Sequence, residues 1–353
     1  MSASLILSLG SLVFLFSFAL SLFIFIVLRR IVIDRLSARF KQSYQEIEKD
    51  ILEAISRLSP EFSREVAERY KNHPAVLAKI LLDYGNAITG EGREQLRIIF
   101  DRAVKARCLK SLASRRTARR LKNARLFIIF CGPEEGPVLI RLLKDKPIIK
   151  LCVLSALSNT PSPETLDYVF QAFGQDTGPA VRSYFNIMFS LGKRIEPLVK
   201  AHLQKPLSSE KLGLLVELVG VIPLHSLSRE ILSLAGHPDK EIRIRVARAL
   251  GKLHLPEALE VLIAMSSDEA WEVAAQAAKG LGKLGNPATT EVLVRSLFSP
   301  HWHVRYNAGY GLARMGEAGR RRLKEVASQN EDRYARDMSV MVLHELIDPA
   351  EAA

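Results

Sequence analysis

The feature that most constrains this chain is a period of 31 residues running through its last third. Leu250, Leu281, Leu312 and Leu343 are each 31 apart, and so are Leu253, Leu284, Met315 and Leu346. Ile242, Val273, Val304 and Ala335 form a third series, and the small or short residues Val246, Ala277, Ala308 and Ser339 a fourth. Gly220 precedes Gly251 by the same interval. Within one unit, Ile242, Val246, Ala249, Leu250 and Leu253 fall on one face of a helix. Gly285-Asn286-Pro287 then signals a turn, residues 290–297 a second apolar helix, and Ser299-Pro300 the end of the unit. A helix pair this short cannot bury its apolar faces alone, so successive pairs must stack.

The units read EIRIRVARALGKL (241–253), EVAAQAAKGLGKL (272–284), HVRYNAGYGLARM (303–315) and YARDMSVMVLHEL (334–346). These segments resemble HEAT repeats of the short, phycobilisome-lyase type, whose shared pattern is x-V-R-x-x-A-x-x-A-L-G-x-L. The match is best at Ile242-Arg243, Val246, Ala249-Leu250-Gly251 and Leu253, then at Val304-Arg305, Ala308 and Leu312. The resemblance implies an all-α fold, an α-solenoid of stacked helix pairs with a concave binding surface. It implies nothing about chemistry, because the repeat alone carries none. Upstream, residues 137–143, 148–157, 163–173, 179–191 and 211–221 are helix-sized apolar segments separated by Gly and Pro. They extend the array back to about residue 74.

Residues 5–28 read LILSLGSLVFLFSFALSLFIFIVL, without a charge. About 20 apolar residues suffice to cross a bilayer as a helix, so this run is expected to be a retained single-pass anchor. Arg29, Arg30, Arg35, Arg39 and Lys41 follow it and no charged side chain precedes it. The positive-inside rule then places the N-terminus outside and the bulk of the chain in the cytoplasm, at the plasma (inner) membrane. Cys108, Cys131 and Cys152 are odd in number and lack C-x-x-C spacing. That excludes a disulfide framework and fits a reducing compartment. The expected organisation is an anchor over 1–28 and an amphipathic helical connector over 29–73. Degenerate helical repeats follow over 74–236, then the 31-residue repeats over 237–347 and a tail over 348–353. The connector carries Ile33, Leu36, Phe40, Tyr44, Ile47, Ile51, Ile55 and Leu58 on one stripe, expected to pack on the protein's own repeats. Ser59-Pro60 starts the next helix, with Ser as cap and Pro at its first position.

The net charge of +12 is unevenly held. Residues 29–130 carry 23 Lys and Arg against 12 Asp and Glu, whereas residues 131–353 carry 27 against 26. Ten cations and no acid lie within residues 102–125: Arg102, Lys105, Arg107, Lys110, Arg115, Arg116, Arg119, Arg120, Lys122 and Arg125. Threaded with apolar residues, they predict one or two helices with a cationic face. Beside a membrane, such a face suits an anionic lipid surface. Nucleic acid is disfavoured as a partner because no interleaved aromatics or reading helix accompany the charges.

No pattern calls for a cofactor or a metal. His344-Glu345 is the one His-Glu dipeptide, too few for the paired set of a di-iron hydroxylase, and His301 and His303 do not share a helix face. No G-x-S-x-G or H-E-x-x-H occurs, and GLGKLG sits in a helix and turn rather than after a strand. An enzyme is therefore not expected. The exposed stripe of the repeat helices is the better candidate site. It runs through Glu241, Arg245, Arg248 and Lys252, then Glu272, Gln276, Lys279 and Lys283. It continues through His303, Asn307, Tyr310 and Arg314, and ends with Tyr334, Met338, Met341 and Glu345. In a HEAT array this helix lines the concave side, and a basic-to-aromatic stripe suits a protein segment. Trp271 and Trp302, also 31 apart, are expected to stack between adjacent turns. The preferred reading is a membrane-anchored, non-enzymatic scaffold that binds a protein partner. The alternatives are a lyase-like accessory holding a small ligand in the groove, and a lipid-binding surface over 102–125.

Overall fold

The computed structural model describes the backbone of residues 3–329 and 331–347. Side chains are described at Phe18 and over residues 20–345, except Pro133 and residues 329–330. Among the described residues there is no strand. The chain divides into two compact units, residues 1–157 and 158–353.

The first unit contains α1 (Ala3–Arg57), α2 (Pro60–Arg69), α3 (Pro74–Tyr84) and α4 (Gly90–Ile99). A π-turn, Phe100–Val104, leads into α5 (Lys105–Leu112), followed by α6 (Thr117–Phe130), α7 (Gly136–Ile140) and α8 (Pro147–Leu157). The connector stripe lies on α1 up to Ile55, whereas Leu58 follows the helix and is exposed. Ile47 and Ile51 are buried, whereas Ile33, Leu36 and Phe40 are exposed. Ser59 caps α2 by accepting from the Phe62 N–H, with Pro60 at the first helical position. The core is aromatic at its centre, where Phe100 stacks on Phe130 at 5.1 Å and meets Phe127 edge-on at 5.6 Å.

The expected membrane span is overturned. Among the described residues no helix is long and apolar enough to cross a membrane. Side chains of residues 5–17 lie outside the described residues. The described apolar stretch, residues 18–28, is followed at once by Arg29, Arg30, Asp34 and Arg35. With the span goes the expected single-pass placement, N-terminus outside and bulk in the cytoplasm. The tail over 348–353 also lies outside the described residues.

The second unit runs through α9 (Pro163–Gln175), α10 (Ala180–Leu191), α11 (Glu196–Leu203), α12 (Ser209–Val221) and α13 (Ser228–Ser233). It continues with α14 (Lys240–Leu253), α15 (Ala258–Met265), α16 (Trp271–Leu284) and α17 (Thr290–Leu297). It ends with α18 (Trp302–Arg314), α19 (Gly316–Gln329) and α20 (Arg333–Ile347). The 31-residue units are helix pairs, as the spacing predicts. Their first helices, α12, α14, α16, α18 and α20, pack one on the next, and each of α14, α16 and α18 also packs on its second helix.

The motif glycines explain how close that layer is. A Cβ on Gly251 would lie 2.7 Å from the Gly280 Cα, and one on Gly282 would lie 2.4 Å from the Gly311 Cα. Gly220 meets Ala249 in the same way. The pairs recur in register, so backbone approaches backbone at each step of the stack. The motif arginines act between turns. Arg243, almost buried, donates twice to Asp268 at 2.8 Å and also to the His237 and Pro238 carbonyls. Arg305 donates to the Ser299 and Pro300 carbonyls and lies over the Tyr334 ring at 5.1 Å.

Candidate anion-binding groove on the repeat helices

The helices α14, α16 and α18 place the predicted stripe side by side, but its members divide into three kinds. Arg248, Lys252, Lys279, Lys283 and Arg314 are exposed. Among the described residues none of the five has a carboxylate within ion-pair distance. Ala247, Gly251 and Gly280 form the floor of a groove of about 130 Å³ between α14 and α16, rimmed by Arg248, Lys252, Gln276, Lys279 and Lys283. Burial, then Lys279, Lys252, Arg314 and Arg248, hold the Lys283 pKa below the ordinary lysine value. Five cations from three successive repeats thus act on one field at Lys283, and the nearest acid in the lining, Glu217, sits in the adjoining pocket with Arg248 and Lys252, where it is held by Arg245 and Arg182. An anion entering the groove relieves that repulsion.

The second kind is already engaged. Arg245 donates to Glu217 at 3.2 Å, and the same carboxylate accepts from Arg182 at 3.0 Å. The Asn307 amide donates to the Ala275 carbonyl at 3.0 Å, tying α18 to α16. Met338 is 4% exposed and belongs to the core rather than the stripe. Arg245 is thus spoken for by an acid 28 residues upstream, a partner outside the repeat helix itself.

The third kind is aromatic. Trp271 stacks on His301 at 5.5 Å and on His303 at 5.1 Å, and His303 meets Trp302 edge-on. The two tryptophans therefore couple adjacent turns through His303 rather than by direct stacking. Both histidines are held as ring partners of Trp271. Trp302, Tyr306 and Tyr310 form a ladder along α18 with centroids 4.8 and 4.5 Å apart. Tyr334 is 66% exposed. Among the described residues no group of His, Cys, Asp and Glu could hold a metal.

The basic segment 102–125 resolves differently from a uniform cationic face. Lys105 pairs with Glu135, Asp101 and Glu134. Burial would raise the Glu135 pKa, but Lys105 and the Gly132 N–H outweigh it and hold the carboxyl below its usual range. Arg120 donates to Asp145 at 2.8 Å and to the Ser114 carbonyl at 2.7 Å. Arg102, Arg107, Lys110, Arg115, Arg116, Arg119, Lys122 and Arg125 remain exposed. The lipid reading of this segment rested on a neighbouring bilayer, and that support falls with the span.

Comparisons with known proteins bear on the fold alone. A search of curated proteins by sequence returns no match. The X-ray structure of YibA from E. coli is 15% identical over 73% of this chain and 98% of that one, with a TM-score of 0.45. The complex of CpcE and CpcF of phycocyanin lyase from Nostoc sp. PCC7120 is 15% identical over 68% and 93%, with a TM-score of 0.34. The karyopherin Kap121p bound to Nup53p has a TM-score of 0.50 at 10% identity, over 87% of this chain and 43% of that one. The PBS lyase HEAT-like repeat model matches residues 242–268, and the HEAT repeats model matches residues 260–344. The chain therefore carries HEAT-like repeats across the helices that form the groove.

Proposed function

We propose that this protein is a non-enzymatic scaffold whose HEAT-like helices capture an acidic segment of a protein partner. The observation that carries the reading is the set of four cations without an ion pair, Arg248, Lys252, Lys279 and Lys283, around a groove floored by Gly251 and Gly280, with Arg314 close enough to act on Lys283. The cations supply several charge-assisted hydrogen bonds to carboxylates. The aromatic ladder of α18 adds an apolar surface beside them. Support also comes from the karyopherin of similar fold, described with Nup53p bound to it.

A photo-cross-linking residue in place of Gln276 tests the reading. The peptides it captures in cells are expected to be rich in Asp and Glu, and charge reversal at Arg248, Lys279 and Lys283 is expected to abolish their capture. Capture of neutral or basic peptides, or capture that survives the reversal, removes the groove as the docking face.

A further inference from the structure

The first unit holds a second cationic cavity, of about 330 Å³, formed where α5 and α6 meet the start of α3. Its charged lining is Arg107, Arg119 and Lys122, and no carboxylate lines it. The two cations of the same segment that do have acidic partners, Lys105 and Arg120, are not part of the lining. One wall is apolar, made by Ala75, Ala78 and Val104, the last at the end of the π-turn. Ser111 offers a hydroxyl. The rest of the wall is fixed in place. The Cys108 thiol donates to the Asn123 side-chain oxygen at 3.3 Å, and the Asn123 amide donates to the Arg119 carbonyl at 2.8 Å. Burial pushes the Cys108 pKa up to about 11 against the pull of Lys122, so the thiol is neutral and adds no repulsion to an anion.

From this lining we infer that the cavity binds a small phosphomonoester, its phosphate on Arg107, Arg119 and Lys122 and its organic part on the Ala75, Ala78 and Val104 wall. Guanidinium forks match phosphate oxygens two at a time, which an ammonium or a surface hydroxyl does not do. A phosphomonoester near neutral pH carries between one and two negative charges, in keeping with three cations and one apolar wall. The cavity lies at the lower end of the ~300–1,000 Å³ range of small-molecule sites, which suits a compact ligand. The site is independent of the groove on the repeat helices and shares no residue with it.

Calorimetric titration of the full chain with phenyl phosphate, inorganic phosphate and a phosphoserine peptide tests this. Phenyl phosphate is expected to bind tightest of the three. Arg107→Gln and Lys122→Gln are each expected to weaken it about tenfold, the size of one lost charge-assisted hydrogen bond. Ala78→Phe, which fills the apolar side, is expected to weaken phenyl phosphate more than inorganic phosphate. Arg115→Gln and Arg116→Gln, exposed in the same segment but outside the cavity, are expected to change nothing. No binding by the wild-type chain overturns the inference. So do equal losses in the two pairs of variants, which signify diffuse attraction only, or tighter binding of the phosphoserine peptide, which signifies a protein ligand.

Discussion

At the scale of single residues, the repeat's arginine is the clearest case of a side chain whose role depends on distant partners. Arg243 appears in the sequence as one of many cations, yet it is almost buried and joined to Asp268 across the turn into the next unit. Burial alone would raise the Asp268 pKa. The Arg243 hydrogen bonds and the Ala270 N–H outweigh burial and hold it below the ordinary aspartate value. A carboxyl with a depressed folded pKa contributes stability above its unfolded pKa, near 3.9, and loses it as pH falls through the folded value. Asp268→Asn is therefore expected to cost about 1.5–3 kcal/mol at pH 7, with the gap to wild type closing as pH falls below the ordinary aspartate range. Denaturant unfolding across that pH range checks it, and a gap constant with pH would contradict the pairing. At Ala274, the equivalent position one unit on, no such bridge exists, so this anchor is not repeated at every step.

At the scale of elements, the 31-residue period is a packing rule as much as a sequence pattern. Gly251 against Gly280 and Gly282 against Gly311 set the spacing of α14, α16 and α18, because a Cβ on Gly251 or Gly282 meets the facing backbone. Gly251→Val is expected to destabilise the second unit by about 2–3 kcal/mol, an overpacking cost, lowering its melting temperature. The ends of the helices follow the same register. His254, Gly285 and Gly316 are 31 apart and all have positive φ, 51°, 61° and 68°. A side chain is strained in that left-handed region, where glycine is not. His254→Gly is thus expected to stabilise the unit by about 0.5–1 kcal/mol in the same melting experiment. This cap series was available in the period, but one of its members is a histidine, which hides it from a search for repeated glycines.

At the scale of the whole chain, charge and site do not coincide. Nearly all of the net positive charge lies before residue 131, yet the four-cation groove lies in the nearly neutral remainder. Its field is local, since surrounding acids neutralise other cations, as Glu217 does Arg245 and Glu272 does Lys240. Binding of an acidic segment is therefore expected to weaken as salt rises from 0.05 to 0.5 M. The screening length contracts over that range to a few ångström. The stability of the unit, set by the buried helix layer, is expected to change far less. Fluorescence anisotropy with an acidic peptide and a melting curve at each salt concentration separate the two. An affinity independent of salt would argue against a groove held by these cations.

The sequence by itself determined the helix pairs, their register and the small residues between them. Each of these depends on residues a few positions apart or one period apart, so the signal is local or repeated. The expected span does not hold among the described residues, where no helix is long and apolar enough to cross a membrane. Only the tertiary structure decided which cations are free. Arg243 and Asp268 are 25 residues apart, Arg245 and Glu217 are 28, and Lys105 and Glu135 are 30. Whether a side chain is a binding group or a structural one depends on such partners. A stripe of charges on a helix does not reveal them, because the partner sits on a different helix whose facing side is set by the packing.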